Sequence, residues 1–234
     1  MSSDPNTLFH RAIFQEVIGK IEGGDVLDLG CGRAGIYYAL GYINSVNSTR
    51  FYDDWEEKLQ ILRKEYDQTS PEYLDAEYDS ILEYLRSQKF SIPESNEEIA
   101  SALLTKVKEI RKFDFTKEVS PYTFDHIISI KSIECVSNTE KFINALQNVY
   151  KMLKPGGLFS GVVLRYDSID AKNKLQMVHQ FSDGGINPDE QTIIESFQQT
   201  GYSTTQTKII NFPNLNPNYS EAVFFHAQKT KDAI

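Results

Sequence analysis

Gly30, Gly32 and Gly35 stand in Gly-x-Gly-x-x-Gly spacing, and Asp28 lies two residues before the first of them. Bare backbone at such a turn lets a ligand approach closely, and a following helix offers it N–H groups. Dinucleotides with a pyrophosphate use the same spacing. Asp28 argues for a different guest, because a carboxylate there repels pyrophosphate but holds the ammonium of an amino acid moiety. Asp53 and Asp54 follow the loop by about 20 residues, where an acid accepts hydrogen bonds from ribose hydroxyls. Asp114-Phe115 ends a third strand-like run, placing a carboxylate for an adenine amino group beside a ring that packs on the base. Cys31 and Ile130 complete the candidate cofactor set. The residues thus describe a site for an adenosine carrying an amino acid, with a nicotinamide-dependent oxidoreductase as the rival.

These residues need strand ends to hold them. Asp25-Val26-Leu27-Asp28-Leu29 reads as a strand running into the glycine turn, and Arg50-Phe51-Tyr52 as a second ending at Asp53. Further strands are expected at 109–113, 126–130, 158–164, 202–210 and 222–227. Helices are expected over 8–22, 36–46, 55–66, 140–153 and 189–200. Two more fill an insertion at 67–106, between the second and third strands, with Ser70-Pro71 and Ser95 as N-terminal caps. Lys154-Pro155-Gly156-Gly157 is expected to break the chain before the fifth strand, and Pro213 and Pro217 to mark a loop between the last two. Those two strands have no helix between them and must pair antiparallel. The fold class is therefore α/β, a Rossmann-like sheet of seven mostly parallel strands with helices on both faces and an antiparallel C-terminal strand. One domain spans 1–234, with 1–23 as an N-terminal helix or lid.

Composition narrows the partners. The chain has 234 residues, 40% hydrophobic and 24% charged, as expected for a globular protein rather than a disordered one. A net charge of −9 repels phosphate and leaves no footprint for nucleic acid, so a small neutral or cationic substrate fits better. Apolar runs are strand-sized and the N-terminus lacks signal-peptide character, so no membrane contact and a cytoplasmic protein are expected, with the oligomeric state open and a monomer favoured. Cys31 and Cys135 are far apart, and His10, His126, His179 and His226 have no ligand spacing, so no disulfide framework and no metal are expected.

The ordered motifs resemble the nicotinamide, phenylethanolamine and indolethylamine N-methyltransferase family, a branch of the class I S-adenosylmethionine-dependent methyltransferases. The resemblance runs from Gly24 to Lys229 and rests on Asp28-Leu29-Gly30-Cys31-Gly32 with Ile36-Tyr37, Asp53-Asp54-Trp55, the helical insertion, and Lys112-Phe113-Asp114-Phe115-Thr116. Ile133-Glu134-Cys135-Val136, Ala145-Leu146-Gln147-Asn148, Leu153-Lys154-Pro155-Gly156-Gly157, Gly201-Tyr202 and Val223-Phe224-Phe225-His226-Ala227-Gln228-Lys229 extend it. It implies S-adenosylmethionine as cofactor and methyl transfer to a small molecule, with an amine nitrogen as acceptor. Glu134 matches a family acid, follows the fourth strand, and is the candidate to orient the amine and take its proton. Tyr166 is the second catalytic candidate; Asp167 and Asp170 beside it, with Phe212 and Tyr219, are candidates for the acceptor pocket.

Three departures qualify the resemblance. The family's N-terminal tyrosines are absent here, with Phe9, His10 or Phe14 as substitutes. Its loop is one residue shorter, leaving Tyr37 and Tyr38 both open as its cofactor-contacting tyrosine. Val163-Leu164-Arg165-Tyr166 stands where the nicotinamide enzyme has an acid, so nicotinamide is not the expected substrate. A methyltransferase-like module that binds cofactor without turnover is the non-enzymatic alternative.

Overall fold

Neighbouring residues of the central strands are both buried but in different cores: Val26, Ile128, Val162 and Phe224 in one, Leu27, Ile127, Val163 and Val223 in the other. A strand alternates its side chains across the sheet, so apolar residues at both parities require cover on both faces. The computed structural model describes residues 5–166, 186–216 and 219–231. Its sheet comprises β1 (Asp25–Leu29), β2 (Ser48–Asp53), β3 (Val107–Lys112), β4 (Phe124–Ile130), β5 (Leu153–Tyr166), β6 (Tyr202–Asn216) and β7 (Tyr219–Lys229). Their spatial order is β3-β2-β1-β4-β5-β7-β6. β1 to β5 pair in parallel, and β7 runs antiparallel to both β5 and β6, as expected.

One face is covered by α1 (Pro5–Glu16), α2 (Gly35–Ala39), α3 (Glu56–Asp67), α4 (Pro71–Ser87) and α5 (Asn96–Lys106). The other is covered by α6 (Thr139–Met152) and α7 (Glu190–Thr200). Ser70 Oγ accepts the Tyr73 N–H at 3.2 Å with Pro71 next to it, and Ser95 Oγ accepts the Glu98 N–H at 3.2 Å. Each such cap contributes about 1 kcal/mol to the insertion helices.

Several boundaries differ from expectation. The leading helix ends at Glu16, and Ile18–Lys20 continues it as a 3-10 turn. α2 stops at Ala39 rather than reaching 46. Glycine weakens a helix, and the bare Cα of Gly41 sits where a Cβ would be 2.6 Å from the Ile18 side chain. β5 starts at Leu153, not after the glycines: Phe124 pairs with Leu153 and His126 already with Leu158, so Lys154-Pro155-Gly156-Gly157 is a bulge within the strand. β6 likewise runs through Pro213 to Asn216, because an edge strand tolerates a missing N–H.

Candidate cofactor and acceptor site

The sheet order reverses direction between β1 and β4, and ligands of open α/β sheets bind outside the carboxyl ends of the strands at that point. The glycine turn leaves β1 there and residues 131–136 leave β4. The two tips touch. Ser132 Oγ donates to the Leu29 carbonyl at 2.9 Å and bonds Ser129 Oγ at 2.7 Å. A Cβ on Gly30 would sit 2.2 Å from Ser132 Oγ, and Gly30 also has φ +72°, so both packing and conformation demand glycine.

The turn is held by β2. Gly30 and Cys31 N–H groups donate to the Tyr52 carbonyl at 2.7 and 3.3 Å, and Gly32 N–H, at φ +57°, donates to Asp53 Oδ2 at 2.8 Å. The N–H groups of Gly30, Cys31 and Gly32 are thus spent on β2, and the following helix is five residues long. Gly35 serves packing, since a Cβ there would lie 2.9 Å from the Phe51 ring. Cys31 is buried, and burial first, then Asp28 and Asp53, pushes its thiol well up. The acids beside the turn are the candidates for the ligand chemistry.

Asp28 pairs across the sheet with Phe51 and Ile128 and points to the α1 side, as Val26 does. It is 1% exposed, and neither carboxylate oxygen has a hydrogen-bond partner. Burial, and then the Asp53 charge, pushes its carboxyl well above the ordinary range. A buried acid without partners costs stability unless a ligand completes it. An amino acid ammonium has the charge and the donors that would complete it. Asp53 is buried too; its Oδ1 accepts the Trp55 N–H at 2.8 Å, leaving one lone pair on each oxygen for ribose hydroxyls. Asp54 is exposed at the same strand end, and partial desolvation, then Asp53 and Asp114, raises its carboxyl.

Asp114 is engaged locally. Its Oδ1 accepts from Thr116 N–H at 3.0 Å and Thr116 Oγ1 at 2.5 Å, and its Oδ2 meets Lys117 Nζ at 2.7 Å. Burial alone would raise it, but these contacts outweigh burial and hold its carboxyl low. Phe115 is buried in the core that includes Ile133 and Val136, and Ile130 in the opposite one. Tyr37 lies half-buried among His10, Phe14, Tyr38 and Tyr78, its hydroxyl pushed up to about 12 by burial first. Tyr38 is deeper: its hydroxyl is 3.0 Å from His10 Nδ1, and after burial and Tyr37 the Asp28 charge pushes it up further. Of the two tyrosines the sequence left open, Tyr38 is the buried one.

On the β4 tip, Glu134 is 3% exposed. Its Oε1 accepts the Leu164 N–H at 3.2 Å, whereas Oε2 is buried without a partner. Burial drives its carboxyl from 4.5 to about 7, against the Leu164 bond and Lys131. The Cys135 thiol beside it is also raised, by burial and then Glu134, and feels Asp54 and Asp53 across the seam. Lys58 and Lys131, which the sequence did not single out, stand at this mouth; Lys58 Nζ lies 3.9 Å from the Trp55 ring centroid. Phe212 is buried and meets Phe9 edge to face at 5.2 Å. The side chains of Tyr166 and Tyr219, together with Asp167, Asp170 and His179, lie outside the described residues.

The reversal point of a doubly wound sheet, with a glycine turn and buried acids beside it, is the arrangement of a class I methyltransferase. Comparison with known proteins agrees. The NNMT/PNMT/TEMT family model matches residues 5–230. The chain belongs to that family, and it is an S-adenosylmethionine-dependent methyltransferase. The oxidoreductase alternative falls with this assignment. No curated protein gives a match. Among solved structures, the N-methyltransferase NodS from Bradyrhizobium japonicum WM9 is similar at 9% identity and TM-score 0.58, covering 98% of this chain and 99% of that one. Magnesium protoporphyrin IX methyltransferase (ChlM) from Synechocystis PCC 6803, with bound SAH, is similar at 11% identity and TM-score 0.58, covering 97% and 86%. At these identities the likeness is one of fold.

Proposed function

We propose that the protein methylates the nitrogen of a small-molecule amine, with Glu134 as the group that orients the acceptor and takes its proton. One observation carries this reading: a buried carboxyl raised to about 7, with Oε2 unpartnered, stands on the strand tip that touches the glycine turn. S-adenosylmethionine, when bound, supplies a methyl group on a sulfonium. An amine attacks it only as the neutral base, so its lone pair forms the C–N bond while the C–S electron pair leaves with sulfur. The nitrogen then sheds a proton, for which Glu134 Oε2 is the acceptor at hand. A carboxyl tuned near neutrality is suited to that transfer, since it is ionised in time to accept and loses little driving force. Asp28 holds the amino acid end and Asp53 the ribose, leaving the β4 and β5 tips for the acceptor. The net charge of −9 fits a small acceptor better than nucleic acid.

A screen with labelled cofactor against amines, thiols and alcohols, read by product mass, tests the reading. N-methyl products are expected. Glu134→Gln should lower turnover by roughly 100-fold with cofactor affinity unchanged. Exclusive O- or S-methylation, or a fully active Gln variant, would overturn it.

A further inference from the structure

The β4 tip carries a second charged group that the methyl transfer does not use. Lys131 follows Ile130 directly, between that strand and Glu134, and its backbone is left-handed at φ +57°. Among the described residues the only other non-glycine there is Lys89, which follows the end of α4. No helix end accounts for Lys131; its N–H is fixed to the Val162 carbonyl at 3.0 Å. For a residue with a Cβ this conformation costs about 1–2 kcal/mol, a cost met more often at ligand-binding positions than elsewhere.

The side chain is solvent-accessible, and among the described residues no carboxylate lies within ion-pair distance of it. The Phe9 ring lies 5.4 Å from Nζ, and Phe212 extends that aromatic wall. The charged and titratable groups that act on Lys131 are Glu134, Lys58 and Cys135; Asp28 is not among them. Among the described residues no ion pair joins Lys131 to Glu134, whose Oε1 accepts the Leu164 N–H instead. Lys58 adds a second positive charge. A chain of net charge −9 therefore presents a local cation, beside an aromatic wall, on the loop that carries the proposed proton acceptor.

We propose that the acceptor bears a carboxylate that pairs with Lys131 while its nitrogen faces Glu134, so that the enzyme selects zwitterionic amines over plain ones. The nitrogen half rests on the function proposed above; the carboxylate half rests on Lys131 alone. A charge-assisted contact of this kind contributes enough for a selectivity of roughly 10- to 100-fold.

Two measurements separate the halves. Calorimetry with benzoate against protein saturated with S-adenosylhomocysteine should show binding that Lys131→Ala weakens at least about tenfold and Lys131→Arg largely keeps. Lys131→Asn, which tolerates the left-handed backbone, serves if the Ala variant folds poorly. In turnover, para-aminomethylbenzoate should exceed benzylamine in kcat/KM by at least about tenfold, and the Asn variant should erase that preference through KM. Equal benzoate binding by wild type and variants, or none by wild type, overturns the proposal. So does a loss of S-adenosylhomocysteine affinity in the variants that matches the loss for benzoate, since Lys131 would then hold the cofactor's own carboxylate. Lys131-dependent benzoate binding without methylation of any amine would sink the nitrogen reading and leave the carboxylate site standing.

Discussion

Strand β1 carries the same residue type near both ends in opposite circumstances. At its start, Asp25 Oδ1 accepts from Ser48 Oγ at 2.7 Å and Oδ2 faces Lys154 Nζ at 3.2 Å. Lys154 also pairs with Asp125 Oδ2 at 2.7 Å, and that oxygen accepts the Asp25 N–H at 2.8 Å. Burial would raise Asp125, but the Lys154 and Asp25 bonds outweigh it and hold it low. Three residues further along β1, Asp28 has no hydrogen-bond partner among the described residues. The acids at the amino ends are part of the frame and complete within it. Those at the carboxyl ends, Asp28 and Glu134, are left incomplete by the fold, which is where a ligand is needed.

The comparison is sharpened most by Glu134. An acid raised in the folded state contributes its full stability below the unfolded value of 4.5 and loses it as pH climbs through the folded value near 7. The wild type should lose about 3 kcal/mol by this route, and Glu134→Gln should not. Urea denaturation at acid and at mildly alkaline pH should show the variant gaining on wild type by that amount; parallel curves would place Glu134 with the frame. Asp28→Asn comes next. Removing an uncompensated buried charge should raise the melting temperature of the ligand-free protein near neutral pH, while cofactor affinity falls by about 2 kcal/mol, roughly 30-fold. Calorimetry showing unchanged affinity would break the contrast at its centre. The smallest effect is expected at the other end: Lys154→Met removes a partly exposed bridge, destabilises by about 1 kcal/mol or less, and leaves cofactor affinity alone.

Local signals were legible and long-range ones were not. Capping by Ser70 and Ser95 follows from side-chain type and is found in place. The strands up to Ile130 follow from apolar runs, and the pairing of the last two from the missing helix between them. β5 beginning at Leu153 and β6 passing Pro213 depend on which neighbour each strand meets, which no local pattern records. At the site, the spacing of Asp28 and Asp53 to the glycines put both acids beside the turn, where the structure has them buried. The engagement of Asp114 by Thr116 and Lys117 was not legible, although Thr116 lies two residues away, because a strand-end acid serves a turn or a ligand equally well in sequence. Lys131 was missed because only its left-handed backbone and its neighbours across the seam mark it out.

With both faces of the sheet already covered, extra sequence has little room except in the connections and at the margins. α4 and α5 occupy one such connection, between β2 and β3, on a face that α1 to α3 also share. A lineage could lengthen or recut those joints and so change which acceptor is admitted, while the central strands and their glycine turn stay as they are.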